Sequence, residues 1–144
     1  MLALPAADPM TTKELIMITS DVQDRSAPAA PAGTVWHADD TTFDEIVLRS
    51  PLPVLVDFSA EWCPPCRMMR PVLAQIAADL ADRLRVVEVD ADASPQTAIA
   101  YGVLAMPTLV VVRGGETVTK LVGARSRRRL LADIGERDDP DLGG

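Results

Sequence analysis

The sequence predicts an α/β domain of three layers, in which a mixed β-sheet lies between helices. Two observations support this fold class. Strand-like apolar segments alternate with segments of helical spacing along residues 34–113, as in folds with crossover helices. A Gly114-Gly115 pair then joins two strand-like segments. Such a pair is typical of a two-residue hairpin, so the sheet is expected to gain an antiparallel edge.

The part of the domain before the cysteines contains three predicted elements. Residues 34–37 are expected to form a first strand. Thr42 to Glu45 has the spacing of a capping box, so a helix is expected to begin there. Ser50 to Pro53 ends this helix, because a residue that precedes proline disfavours helical geometry. The apolar run 54–58, interrupted only by Asp57, predicts a buried central strand.

The segment after this strand changes to helical spacing and begins with both cysteines of the chain. Apolar residues recur every three or four positions, which predicts a helix to about Arg83: Met69, Val72, Leu73, Ile76, Ala77 and Leu80. Cys63 and Cys66 therefore lie where a strand ends and a helix begins. The helix N-terminus favours a thiolate because it is the positive end of the helix dipole. A strand–CxxC–helix unit indicates redox chemistry.

The remaining elements follow from strand and cap signals. Arg85 to Asp90 is a predicted strand, and Ser94-Pro95 is expected to cap a short helix that ends at Tyr101-Gly102. The hairpin strands are residues 108–113 and 116–122. A last helix is expected to begin near Ser126 and to present three apolar residues on one face: Leu130, Leu131 and Ile134.

Two end segments are expected to lie outside the domain, which spans residues 34–137. Residues 1–33 end in a Pro/Ala linker that is too poor in large apolar groups to pack. We expect this extension to be disordered or weakly docked through Leu15 to Ile18. Residues 138–144 form an acidic tail that is expected to fray.

Composition excludes several classes of function. The net charge of −7 argues against nucleic acid or an anionic membrane as a partner, and no apolar run is long enough for a transmembrane helix. Two cysteines are too few for a disulfide scaffold, and a closed zinc site would need His37 and an outside ligand, so no metal is expected. The N-terminus lacks a basic region and is broken at Pro5 and Asp8, which favours a cytoplasmic location over secretion.

The segment Val56 to Met68 resembles the active site of thioredoxins, whose usual centre is Trp-Cys-Gly-Pro-Cys. Tyr101 to Thr108 is similar to the family's segment around its cis-proline, here Pro107, and Val122-Gly123 matches the glycine late in the last strand. The resemblance covers about residues 34–135. It implies the thioredoxin fold, a three-layer α/β/α arrangement with a central mixed sheet.

The same resemblance implies a protein-disulfide reductase that acts in cell redox homeostasis as a monomer, with no cofactor. Cys63 is then the exposed nucleophile and Cys66 the resolving thiol, and the two form a reversible disulfide next to Pro65 of the motif. Asp57 is implied as the proton acceptor for Cys66. The implied partners are disulfide-containing target proteins and a thioredoxin reductase.

A shallow groove beside the motif is expected to hold an extended segment of the target. A cis bond before Pro107 would leave the backbone of the preceding residue free for strand-like pairing with that segment. The expected groove residues are Trp62, Met106, Pro107, Gly123 and Ala124.

Two residues depart from the family pattern and are expected to tune the redox centre. Pro64 replaces the usual glycine and removes an N–H, so the Cys66 N–H is the nearest remaining donor to the Cys63 sulfur. Pro64 also leaves a disulfide oxidase or isomerase as an alternative function, with a non-catalytic binding module as another. Glu88 stands where the family has a buried lysine beside Asp57. It either shares that site, which raises one carboxyl pKa, or turns outward to an arginine.

Overall fold

The computed structural model describes residues 30–136. The predicted acidic tail and the extension up to residue 29 lie outside the described residues. The described part begins with a turn, in which the N–H and the hydroxyl of Thr34 both donate to the Pro31 carbonyl, at 3.2 Å and 2.7 Å. Within residues 30–136, no helix is both long enough and apolar enough to span a bilayer.

Within residues 30–136, five strands form one mixed sheet, which confirms the predicted fold class. They are β1 (Trp36–Ala38), β2 (Val54–Ser59), β3 (Arg85–Asp90), β4 (Thr108–Arg113) and β5 (Glu116–Val122). Their order across the sheet is β1-β3-β2-β4-β5. The first three in that order are mutually parallel, whereas β4 is antiparallel to both of its neighbours. The central strand β2 is buried along its whole length.

Helices cover both faces of this sheet. They are α1 (Asp44–Leu48, a π-helical turn), α2 (Pro64–Asp79), α3 (Pro95–Ala100) and α4 (Arg127–Asp133). The apolar residues of α2 and α4 pack with alternate strand residues such as Leu55 and Val86. The residues of α1 pack on the opposite face with Val56 and Val87. Because strand side chains alternate, Asp57 and Leu55 project to the face that α2 covers.

Two predicted boundaries differ from the structure. The first strand was expected at residues 34–37 but occupies Trp36–Ala38, because Thr34 closes the turn with Pro31. The long helix was expected to reach about Arg83 but ends at Asp79. A turn follows, in which the N–H groups of Arg83 and Leu84 both donate to the Leu80 carbonyl at 2.8 Å.

The capping box predicted at Thr42 and Glu45 is wrong. The Thr42 hydroxyl accepts the N–H of Asp39 at 2.9 Å. The Asp39 carboxylate in turn accepts the N–H groups of Thr41 and Thr42, at 2.9 Å and 3.0 Å. An ionised carboxylate is a stronger acceptor than a hydroxyl, so the chain turns at Asp39 and Thr42 serves that turn.

The cap of α3 is also different from the predicted one. Ser94 occupies the N-cap position, but its hydroxyl is buried and has no hydrogen-bond partner among the described residues. The Asp40 carboxylate, from the loop after β1, accepts the N–H groups of Gln96 and Thr97 at 3.1 Å and 2.8 Å. It also accepts the Thr97 hydroxyl at 2.7 Å. These hydrogen bonds lower the pKa of Asp40, and the bond from the Thr97 hydroxyl has the largest effect.

Replacing Asp40 by alanine is therefore expected to lower the melting temperature by roughly 5 °C at neutral pH. The loss arises because the first turn of α3 loses its acceptor. Ser94→Ala is the matched control, since it removes a hydroxyl with no partner among the described residues and should change the melting temperature by less than about 2 °C. Thermal unfolding followed by circular dichroism measures both. Equal losses in the two variants would contradict the assignment of Asp40 as the cap.

Candidate active site

The two cysteines lie at the start of α2 and are joined by a disulfide, with their Cα atoms 5.3 Å apart. Cys63 is the N-cap residue, with extended backbone, and its sulfur accepts the Cys66 N–H at 3.3 Å. This is the donor that the sequence predicted. Pro64 and Pro65 occupy the first positions of α2, where an N–H has no acceptor inside the helix, so the prolines remove no helical hydrogen bond.

Cys63 was predicted to be exposed, but it is buried in the structure. Only 3% of its surface is exposed, and Cys66 is fully buried. The reason is that Ala60 and Met106 pack around the disulfide, with the Met106 carbonyl oxygen 3.7 Å from the Cys63 sulfur. Of the two cysteines, Cys63 is still the one that retains contact with solvent.

Trp62 stands beside the disulfide with 62% of its surface exposed. Its indole N–H donates to the Asp92 carboxylate at 2.8 Å. Asp92 was not predicted as a site residue. Its position just after β3 could have indicated it, because β3 and β2 are parallel and end at the same edge of the sheet.

The expected groove residues lie along two segments next to the cysteines. The Met106–Pro107 bond is cis, as predicted, and Met106 contacts the cysteines. The Gly123 N–H donates to the Pro107 carbonyl at 2.9 Å, which joins the two segments. Gly123 has φ of 100°, a conformation that favours glycine, and Ala124 is exposed.

Arg125 contacts the end of β5 next to these residues, and no sequence motif indicated this contact. Its guanidinium donates to the Val122 carbonyl at 2.8 Å and to the Gly123 carbonyl at 3.3 Å. It also forms an ion pair of 2.6 Å with Asp133 of α4. The end of β5 is thereby fixed against α4.

Asp57 is fully buried on the face of β2 beneath α2. Neither of its carboxylate oxygens has a hydrogen-bond partner among the described residues. Burial raises the pKa of Asp57 to about 7, the negative charge of Glu88 acts in the same direction, and Arg70 opposes them. Asp57 can therefore hold or release a proton near neutral pH.

Glu88 satisfies parts of both predicted alternatives. It pairs in parallel register with Asp57, so the two side chains project to the same face of the sheet. Its carboxylate also faces two basic side chains: one oxygen lies 3.6 Å from Arg70 Nε, and the other lies 3.6 Å from His37 Nδ1. Arg70 was not predicted as a site residue. Its position four residues after Cys66, on the same side of α2, could have indicated it.

Comparison with known proteins identifies the fold and the motif. Residues 34–136 match the family model described as Thioredoxin. A thioredoxin from Streptomyces clavuligerus is 45% identical over 100 residues, which cover 69% of this chain and 92% of that protein. A bifunctional thioredoxin reductase/thioredoxin from Mycobacterium leprae is 38% identical over 118 residues. The match covers 82% of this chain but 26% of that longer protein.

A solved structure agrees with these matches. A mutant thioredoxin from Halobacterium salinarum NRC-1 superposes with a TM-score of 0.63 at 34% identity, covering 71% of this chain and 88% of that one. These findings do not favour an oxidase, an isomerase or a non-catalytic binding module. The chain therefore belongs to the thioredoxin family and reduces protein disulfides through its Cys63–Cys66 dithiol.

Proposed function

We propose that Cys63 is the thiolate that attacks the target disulfide and that Cys66 resolves the resulting intermediate. One observation carries this assignment: Cys63 is the N-cap of α2, and its sulfur accepts the Cys66 N–H at 3.3 Å. The positive end of the helix dipole and this hydrogen bond both stabilise a negative charge on Cys63. Cys66 lies inside the helix and is fully buried.

The reaction then proceeds in two exchanges. The Cys63 thiolate attacks one sulfur of the target disulfide, which forms a mixed disulfide and releases the first target thiolate. Cys66 gives its proton to Asp57 and attacks the Cys63 sulfur. This step forms the Cys63–Cys66 disulfide and releases the second target thiolate, so two electrons pass to the target.

Asp57 is suited to accept the Cys66 proton. A general base works best when its pKa lies near the working pH, and burial brings the pKa of Asp57 to about 7. Its place on the face of the sheet beneath α2 is the other support for this role. Pro64 and Glu88 are proposed to tune the redox centre through the rigid loop and through the charge beside Asp57.

The target is proposed to lie in the groove as an extended segment. The supports are the Met106 carbonyl oxygen, 3.7 Å from the Cys63 sulfur, and the exposed Trp62, which Asp92 anchors. Backbone pairing of the segment would supply affinity with little dependence on its sequence. Pro107, Gly123 and Ala124 would form the rest of its floor.

The electrons are proposed to come from a separate thioredoxin reductase, and residues 34–137 are proposed to be the catalytic unit. A cytoplasmic location is also proposed, because a dithiol stays reduced only in a reducing compartment. The Mycobacterium leprae relative is a bifunctional thioredoxin reductase/thioredoxin, which supports such a partner for this chain.

Reduction of insulin disulfides with a bacterial thioredoxin reductase tests this function. The oxidised protein is expected to accept electrons from the reductase and to pass them to insulin over many turnovers. The control is the double variant Cys63→Ser/Cys66→Ser, which should give no turnover. A wild-type protein that the reductase cannot reduce, or that oxidises dithiols but does not reduce insulin, would contradict the proposal.

A further inference from the structure

A cluster of basic and acidic side chains lies beside Asp57, outside the redox motif. Arg70 of α2, His37 of β1 and Glu88 of β3 line a cavity of about 430 Å³. The other residues of its wall are Val35, Glu61 and Leu73. Side chains from three elements thus surround the carboxylate of Glu88, the residue that pairs with Asp57 across β2 and β3.

Arg70 is directed to this cluster by its place in α2. It follows Cys66 by four residues, so both lie on one side of the helix, and Cys66 is on the buried side. Its Nε atom lies 3.6 Å from Glu88, and 45% of the Arg70 side chain is exposed. The Arg70 side chain therefore reaches from solvent to the partly buried carboxylate of Glu88.

The charges around this point are unbalanced without Arg70. When Asp57 is ionised, it and Glu88 are negative neighbours on one face of the sheet, and Glu61 is a further acidic residue of the cavity wall. His37 contacts the other oxygen of Glu88, but its side chain is 74% exposed, so solvent screens any charge that it carries. The side chain of Glu88 is only 16% exposed, so its charge is screened much less.

We propose that Arg70 is a positioning residue for the resolving step: its guanidinium holds Glu88 and offsets that negative charge, so that Asp57 can take the proton of Cys66. This inference rests on the role given to Asp57 in the proposed function. Arg70 acts through the two carboxylates and does not touch the target disulfide.

The proposal predicts shifts of opposite sign for the two partners. Without Arg70, an ionised Asp57 would face an uncompensated Glu88, so Asp57 would lose its proton at higher pH. Without the charge of Glu88, Asp57 would lose its proton at lower pH. A purely structural role of either residue gives no such pair of opposite shifts, because misfolding lowers the rate at every pH.

Arg70→Met keeps the apolar stem of the side chain and removes its charge. The acid limb of the pH–rate profile for insulin reduction is expected to move up by about one pH unit, which lowers the rate near pH 7 roughly fivefold. Glu88→Gln should move the limb down, and Arg70→Lys, which keeps the charge, should stay close to wild type. Arg67→Met is the matched control, because Arg67 is exposed and donates to the Glu61 carbonyl at 3.0 Å.

A second measurement follows the protonation of Asp57 directly and does not depend on turnover. Titration of the 13C-labelled Asp57 carboxyl by NMR in the oxidised protein should show the same two shifts. Asp57→Asn distinguishes a failure of the proton-acceptor role of Asp57 from a failure of the positioning role of Arg70. If Asp57→Asn retains the wild-type acid limb, the proton-acceptor role itself fails. If Asp57→Asn removes the limb while Arg70→Met titrates like wild type, Asp57 keeps its role and the inference about Arg70 is overturned.

Discussion

Asp57→Asn is expected to make the oxidised protein increasingly more stable than wild type as the pH rises from about 4 to 8. The gain in the free energy of unfolding over this range is expected to be roughly 2–4 kcal/mol. The pKa of Asp57 is about 7 in the folded protein, against 3.8 for an ordinary aspartate. The stability that the protonated Asp57 carboxyl contributes is therefore fully present below the ordinary pKa of 3.8, and it is lost as the pH rises through the folded-state pKa of about 7.

Denaturation by urea at several pH values between these limits measures this effect. Asparagine does not titrate, so the variant does not lose stability when the pH rises through the pKa of Asp57. The buried amide of the asparagine would also have no hydrogen-bond partner among the described residues, which changes the stability by the same amount at every pH. The matched control is Asp82→Asn, which removes a carboxylate that is 85% exposed and should give no comparable gain, because solvent screens an exposed charge. A difference between Asp57→Asn and wild type that stays constant with pH would show that Asp57 is ionised throughout.

Cys63→Ser is expected to abolish insulin reduction, with a loss of at least about 10³-fold, because no thiolate remains at the start of α2 to attack the target. Cys66→Ser should lose multiple turnover to the same extent for a different reason. It should attack once and then accumulate one mixed disulfide per molecule, since the resolving thiol is absent.

The two single variants thus distinguish the roles of the cysteines. Non-reducing electrophoresis and mass spectrometry of each variant after incubation with oxidised insulin measure the trapped species. The double variant gives the background. A trapped complex with Cys63→Ser, and none with Cys66→Ser, would reverse the assignment of nucleophile and resolving thiol.

Much of the sheet could be predicted because its signals are local. Residues 85–90, 108–113 and 116–122 are strands with the predicted bounds, since β-branched runs and the Gly114-Gly115 turn are strong cues. Both of these glycines have positive φ, as the hairpin requires. The helix starts were less predictable. Asp40 caps α3 from 57 residues away, and no local pattern indicates such a bond.

The residues of the site also fall into a group that local motifs predict and a group that they do not. The cysteine pair, the prolines and the cis bond before Pro107 belong to continuous motifs, and the sequence identified them. Asp92 and Arg70 act through neighbours on other elements, so their partners appear only when the sheet is assembled. The burial of Cys63 was missed for the same reason, because Met106 covers it from a segment 43 residues away.

The sulfur of Cys63 is proposed to be the nucleophile because α2 stabilises its thiolate. Partial alkylation of the reduced wild-type protein with iodoacetamide, mapped by mass spectrometry over a range of pH, tests this most directly. We expect Cys63 to be modified first, with an apparent pKa below the value of about 8.5 for a free cysteine. Modification of Cys66 first, or a Cys63 that reacts only above that pH, would contradict it.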